Sequence, residues 1–244
     1  MKTLRLLALF ALVIPCLAQE TTSGNKLIEG WGTTLNPAED CEFKVENQKL
    51  TITVPGSADS HDLSAELRSA MAPRVLQPVS GDFTIQVKIE GEFQPGDQSS
   101  ERLRSGYTGA GLVVFADNAN FVRIERATLH HQGDEAVPYT NFEIRVDGEL
   151  QEIGTTADLP TEKGKPTWLK LERKGDQLLG AMSQDGEHWT YGKPKTLNSK
   201  AWKQNPIVAG IAAISTSRLP FYPIYSEFSI RQGTKADAEK NELK

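Results

Sequence analysis

Strict alternation of apolar and polar residues recurs along the chain. In DFTIQVKIEGEF, Phe83, Ile85, Val87 and Ile89 fall on one face of a strand while Thr84, Gln86, Lys88 and Glu90 fall on the other, the pattern of a half-buried strand. The same period runs through CEFKVEN (Cys41, Phe43, Val45), KLTITVP (Leu50, Ile52, Val54), NFEIRVDG (Phe142, Ile144, Val146) and IYSEFSIRQ (Ile224, Phe228, Ile230). Asn47-Gln48 and Asp147-Gly148 supply turn chemistry after two of these runs. AGLVVFA and IVAGIAAI are apolar at consecutive positions, as expected of strands covered on both faces. DLSAELRSAM, before Pro73, is the one stretch that reads as a short helix. About a dozen strands in one cooperative unit predict an all-β fold of two packed antiparallel sheets. QPGDQSSERLRSG (Gln94 to Gly106) is polar enough to be a long surface loop within that unit.

WLKLERKGDQLLGAMSQDGEHW, from Trp168 to Trp189, carries two tight-turn signals. With Gly175-Asp176 as a two-residue loop, Leu169 faces Met182, Leu171 faces Gly180 and Arg173 faces Leu178. A second two-residue turn at Asp185-Gly186 sets Met182 opposite Trp189 and makes Leu169, Leu171, Leu178, Met182 and Trp189 a core face. Trp168, Lys170, Glu172, Leu179, Ala181, Ser183 and His188 then form the other face. A three-residue loop at Lys174 to Asp176 would shift the first register by one and reverse half of this.

This hairpin resembles the Trp-leading strand and Ser-x-Asp-Gly-x-x-Trp turn of the regulation-of-enolase-like domains. They are a domain-of-unknown-function family in the concanavalin A-like lectin/glucanase superfamily. APRVLQPVSGDFTIQVKI, YTGAGLVVFADNANFVRIERA and VAGIAAISTSRLPFYPIYSEFSI are similar to further strands of that family, in the same order. The resemblance covers roughly Leu27 to Gln232. It implies a jelly-roll sandwich related to the accessory domains of some β-xylosidases, and no particular reaction.

The N-terminus alters the picture of where such a domain works. Lys2 and Arg5 precede an apolar run of 12 residues, Leu6 to Leu17, and a small-residue site at Ala18, the layout of a secretory signal peptide cleaved between Ala18 and Gln19. The run is shorter than the roughly 20 residues a membrane-spanning helix needs. A lipoprotein reading at Cys16 is the alternative, disfavoured by Pro15. Residues 1–18 are thus expected to be a leader, 27–232 the sandwich, and 233–244 a polar, frayed tail. Secretion or periplasmic export follows. Without the leader Cys41 is the only cysteine, so no intramolecular disulfide can form. Stability must come from the core, and a chain of this size buries roughly 70% of its unfolded surface.

Formal charge moves from −5 to −7 when Lys2 and Arg5 leave. The remaining charges are interspersed, which makes nucleic acid and anionic membranes poor partners. A glycan or an extracellular protein is the expected partner, and a monomer the expected state.

Candidate chemistry is sparse. A retaining glycosidase needs two carboxylates about 5 Å apart. EIRVD aims Glu143, Arg145 and Asp147 the same way, but Arg145 stands where the superfamily's glucanases have an acid. Glu125 and Glu172 could neighbour Glu143 across a sheet, with Arg123, Arg145 and Lys170 alternating. A solvated cross-strand charge network is the preferred reading. The four histidines, His61, His130, His131 and His188, have no zinc-motif spacing. Asp117, Asn118 and Asn120 could offer oxygens to calcium, but Asp and Asn between strands are ordinary turn residues, so no cofactor is expected. Asp59, His61 and Asp62 could line a loop rim. Ser183 and His188 have no placed acid to complete a triad. Trp168 beside Lys170, Glu172 and His188 offers an aromatic face flanked by polar groups, as sugar sites require, unless it covers a second apolar layer with Leu179 and Ala181. Trp31, Trp202, Tyr107, Tyr222 and Tyr225 are further aromatic candidates. These features favour a non-catalytic carbohydrate- or surface-binding module. The alternatives are a glycan hydrolase with acids from separate strands and a structural or adhesion module.

Overall fold

A computed structural model describes residues 25–233, apart from 58, 65, 66, 68, 103, 131, 132, 154–158 and 160. The expected leader, the tail beyond Gly233 and His131 lie outside the described residues. In chain order the strands are β1 (Leu27–Ile28), β2 (Gly32–Leu35), β3 (Glu42–Glu46), β4 (Lys49–Thr53), β5 (Leu63–Ser64), β6 (Ser69–Ala70), β7 (Arg74–Val79), β8 (Phe83–Glu90) and β9 (Gly106–Asp117). There follow β10 (Asn120–His130), β11 (Val137–Val146), β12 (Glu149–Ile153), β13 (Thr167–Lys174), β14 (Gln177–Ser183), β15 (Thr190–Tyr191), β16 (Lys195–Thr196), helix α1 (Lys200–Gln204), β17 (Ile207–Ser215) and β18 (Ile224–Gln232).

Two antiparallel sheets pack face to face. Sheet A has the order β1-β2-β7-β17-β9-β10-β11-β12 and sheet B the order β15-β14-β13-β8-β18-β4-β3. Between them lie Leu112, Val114, Val122, Ile124, Phe142, Ile144, Ile211 and Ala213 of sheet A, and Leu50, Ile52, Ile85, Val87, Ile89, Leu169, Leu171 and Leu178 of sheet B. The alternation in β4, β8 and β11 therefore points to the core as expected. Asn47, Gln48, Asp147 and Gly148 all have positive φ, which fits both pairs to two-residue turns whose twist matches the strands they join.

β9 and β17 sit in the middle of sheet A and are covered on both faces, as their continuous apolar runs predict. The second cover is a separate apolar cluster outside the sandwich, in which Leu63 and Ala72 pack on Val113, Phe115, Phe121, Ala212 and Ile214. The stretch read as a helix before Pro73 supplies it. That stretch contains the short β5–β6 ladder, anchored by His61, which exchanges both backbone hydrogen bonds with Ser215 of β17. Burial of Leu63, Ala70 and Ala72 against sheet A outweighs helix propensity there; residues 65, 66 and 68 of the stretch lie outside the described residues.

Two further expectations shift by one residue. Leu169 faces Met182, Leu171 faces Gly180 and Arg173 faces Leu178, so the Gly175-Asp176 loop has two residues. Beyond the second turn, however, Met182 pairs with Thr190 and Ala181 with Tyr191. One extra residue in that turn moves Trp189 out of the core and onto the outer face of sheet B. In β18, Ser226 pairs with Lys88 but Ser229 with Gln86. This β-bulge, with Glu227 at φ 51°, reverses the alternation midway. Tyr225, not Ile224, is consequently the core residue, fully buried, and its hydroxyl donates to Ala212 O of the opposite sheet at 2.8 Å. Trp31 is also buried, stacked on Phe228 with centroids 5.0 Å apart.

Candidate functional site

The residues singled out from the sequence divide between two opposite surfaces. Arg123, Glu125, Glu143 and Arg145 lie on the outer face of sheet A, whereas Trp168, Lys170 and Glu172 lie on the outer face of sheet B. Glu172 therefore neighbours neither Glu143 nor Glu125.

The sheet A group is compact. Arg123 is directly opposite Glu143, and Glu125 opposite Asn141. Arg123 Nε lies 2.7 Å from Glu143 Oε1 and 3.2 Å from Glu125 Oε1, and Arg145 Nε donates to Glu143 Oε1 at 3.1 Å. Asn141 Nδ2 donates to both carboxylates, at 3.0 Å to Glu125 and 3.3 Å to Glu143, while the Tyr107 hydroxyl donates to Glu125 at 2.6 Å. Gly109 and Gly111 make the room, since a Cβ at either would meet Glu125 closer than 3.0 Å.

The network is not solvated. Glu125 and Glu143 are each 1% exposed, because the segment after His61 lies over them and Leu63 O accepts a hydrogen bond from Arg123 Nη1 at 3.0 Å. Alternation marks the polar face of a strand but not what lies beyond it. Burial pushes the Glu125 carboxyl up, and Arg123, Tyr107 and Asn141 only partly offset this. For Glu143 burial pushes the same way, but Arg123 and Arg145 outweigh it and hold the carboxyl below its ordinary range. Asp147, in the turn, does not join the group.

The sheet B surface is open. Strand pairing stacks three cross-strand rows: Ser183-Trp168-Lys88-Ser226, Ala181-Lys170-Gln86-Ser229 and Leu179-Glu172-Thr84-Arg231. The last two rows enclose a shallow depression of about 240 Å³ lined by Thr84, Gln86, Lys170, Glu172, Ser229 and Arg231. Aromatic rings border it. The Lys170 ammonium lies 4.2 Å from the Trp189 ring centre and 5.0 Å from that of Tyr191, and donates to the Tyr191 hydroxyl at 2.9 Å. Lys88 lies 4.7 Å from the Trp168 ring centre, and the indole N–H donates to Glu227 at 2.9 Å. Trp168 is half-buried and bonded to polar groups. Trp189 and Tyr191 escaped the sequence reading because their placement depends on the extra turn residue. The polar positions of β8 were the only available signal for Thr84 and Gln86.

His188 does not join this surface; its side chain is 87% exposed and turned to Asp185 at 2.8 Å. Asp185 also accepts from Ser183 Oγ and from the backbone of Glu187 and His188. The N–H donors of His188 and Glu187, with the two side chains, hold its carboxyl far below the ordinary range. The acid stands between serine and histidine, so the serine proton points to the carboxylate and not to the imidazole. That is a turn clasp, not a nucleophile.

Asp117 Oδ1 accepts from Ala119 N and Asn120 Nδ2, Asp117 Oδ2 from Asn205 Nδ2, and Asn120 Oδ1 from Asp147 N and Ser199 Oγ. These oxygens of the calcium candidates are thus engaged in tying turns together, and Asn118 is exposed between them. His130 is bonded to the carbonyls of Pro95 and Asp134. Among the other aromatic candidates Trp202 is buried and Tyr222 is exposed.

Of the loop-rim residues, Asp59 is exposed while His61 and Asp62 are buried. His61 Nε2 meets Asp40 Oδ1 at 2.9 Å, and the Cys41 thiol donates to the same oxygen at 3.4 Å. Burial and the adjacent Asp40 push the Cys41 thiol far above its ordinary value, which leaves it a poor nucleophile. Nothing in the sequence pattern joins loop residues twenty positions apart.

The family model described as "Protein of unknown function (DUF1349)" matches residues 35–233. No curated protein sequence matches the chain. Among solved structures, a functionally unknown protein from Saccharomyces cerevisiae superposes with a TM-score of 0.58 at 16% identity, covering 84% of this chain and 97% of that one. The GH43 protein BlXynB from Bacillus licheniformis superposes with a TM-score of 0.55 at 13% identity, covering 82% of this chain and 36% of that one. The chain spans about a third of the latter protein. Both likenesses concern the fold, a concanavalin A-like jelly-roll sandwich. Among the described residues no helix is long and apolar enough to cross a membrane.

Proposed function

The chain belongs to the DUF1349 family, and we propose that it is a secreted, monomeric, non-catalytic module that binds carbohydrate through the outer face of sheet B. One observation carries this reading: Trp189 and Tyr191 stand against Lys170 at a depression whose lining offers an amide, a carboxylate, a guanidinium and hydroxyls, with Trp168 in the next cross-strand row. Pyranose rings present an apolar C–H face and an equatorial belt of hydroxyls, so aromatic rings beside planar donors and acceptors match both. No cofactor is needed for such binding, and the likeness to regulation-of-enolase-like domains is part of the same reading. Export follows from the leader, and the mass of the mature N-terminus tests it: a chain beginning at Gln19 supports cleavage after Ala18, and a diacylated Cys16 refutes it.

A hydrolase is the second reading, favoured by Glu125 and Glu143, which share the Asn141 amide and are pushed in opposite directions, as an acid and a base would be. Their burial and their pairing with two arginines weigh against it. A polysaccharide array scored for both retention and released reducing sugar separates the readings. Retention without release, lost in Trp189→Ala, supports the binding module. Release abolished by Glu125→Gln or Glu143→Gln establishes the hydrolase, and neither retention nor release refutes both.

A further inference from the structure

Asp40, Cys41 and His61 bring a carboxylate, a thiol and an imidazole to one point, with their ligand atoms all within 4.8 Å of one another. The three come from two separate segments, and each segment is held independently of the cluster. Asn36 clasps Cys41 through both backbone groups, donating to its carbonyl at 2.8 Å and accepting from its N–H at 3.4 Å. His61 is fixed by its two backbone hydrogen bonds to Ser215, at 3.0 and 3.1 Å. The donor atoms are therefore placed by the scaffold. Cys41 and His61 are buried, while the Asp40 side chain is 36% exposed and gives the cluster one side open to solvent.

We propose that Asp40, Cys41 and His61 form a binding site for a divalent cation of the zinc type. The donor set is the argument. One sulfur, one imidazole nitrogen and one carboxylate oxygen suit a borderline-soft, tetrahedral cation, and three protein ligands leave a fourth position for water. A hard cation such as calcium would need six or more oxygens. Zinc bonds of about 2.0–2.3 Å set tetrahedral donors roughly 3.3–3.8 Å apart; the Cys41–Asp40 separation of 3.4 Å already matches, and the His61–Asp40 contact of 2.9 Å need only open slightly, which the partly exposed Asp40 side chain allows. On binding, Cys41 coordinates as thiolate and its proton passes to solvent. The ion would cross-link two parts of the fold, because Cys41 leads into β3 of sheet B while His61 is tied to β17 of sheet A. The site is separate from the carbohydrate face, and its occupation does not depend on that reading.

Cobalt(II) and zinc titrations of the purified, reduced full chain test the site. Cobalt should produce a thiolate-to-metal charge-transfer band and tetrahedral d–d bands, and zinc at about 100 times its dissociation constant should raise Tm by roughly 5–10 °C. Cys41→Ser should abolish the charge-transfer band. Asp40→Asn, an exposed change that spares the core, should weaken zinc binding at least tenfold. A wild-type protein without the charge-transfer band, or a zinc shift unchanged in both variants, would overturn the site and leave a histidine–aspartate pair beside a buried thiol.

Discussion

Arg123 and Glu143 face each other across β10 and β11 at 2.7 Å, both shut off from water. Replacing one member of a buried pair leaves the other charge uncompensated, which costs about 3–5 kcal/mol. Glu143→Gln is therefore expected to destabilise the protein by that amount in urea unfolding at pH 7. Glu125→Gln should cost less, about 1–3 kcal/mol from weakened hydrogen bonds, because burial already disfavours its charge. Equal losses would contradict the assignment of the two carboxyls.

The pH dependence follows from the same two directions. Glu143 is held below its unfolded value, so its stabilisation is present above about pH 4.5 and is lost as pH falls through its folded pKa. Glu125 is raised, so its contribution is present below about pH 4.5 and is lost as pH rises through its folded pKa. Unfolding midpoints measured from pH 3 to 7 should decline less steeply toward acid in Glu143→Gln than in the wild type, and more steeply in Glu125→Gln.

Trp189 stands outside the core with Lys170 against its ring. Trp189→Ala should leave Tm within a few degrees of the wild type while weakening retention on the polysaccharide that the array identifies about tenfold, or 1.4 kcal/mol. A large loss of stability would instead return Trp189 to the core.

Tyr225 spans the sandwich, rooted in sheet B with its hydroxyl on Ala212 O of sheet A. Tyr225→Phe removes the donor and leaves a buried carbonyl without it, a cost of about 1–3 kcal/mol. Chemical denaturation checks this, and a neutral change would mean that the carbonyl finds another donor.

At Gly111 a Cβ would stand 2.0 Å from Ile124 O and 2.5 Å from Glu125 Cα, both backbone atoms of the paired strand. Gly111→Ala must spread β9 from β10 and is expected to cost more than 4 kcal/mol, within the range seen only for severe core disruption. Soluble yield and Tm report it.

Much of this architecture is legible as period-two alternation, and the limits of that signal are specific. Leu50 and Ile52, the alternating face of β8 and the hairpin at Gly175-Asp176 are each fixed by local pattern and turn chemistry. A single added residue inverts the alternation across it, which is why Ile224 and Trp189 read as core although Tyr225 takes the core place beside Ile224 and Trp189 lies on the outer face of sheet B. Glu143 and Arg145 read as solvated because a polar face looks the same under water and under a second protein layer. The Asp40–His61 contact is set by tertiary packing alone.

The layer that Leu63, Ala70 and Ala72 lay over sheet A changes how freely the two sheets can vary. In β9 and β17 side chains pointing either way meet a packed layer, so each strand as a whole must satisfy two packed environments. The rows of Trp168, Lys170 and Glu172 answer to one. A lineage of such proteins could exchange those outward residues for others while the rest of the molecule stayed as it is.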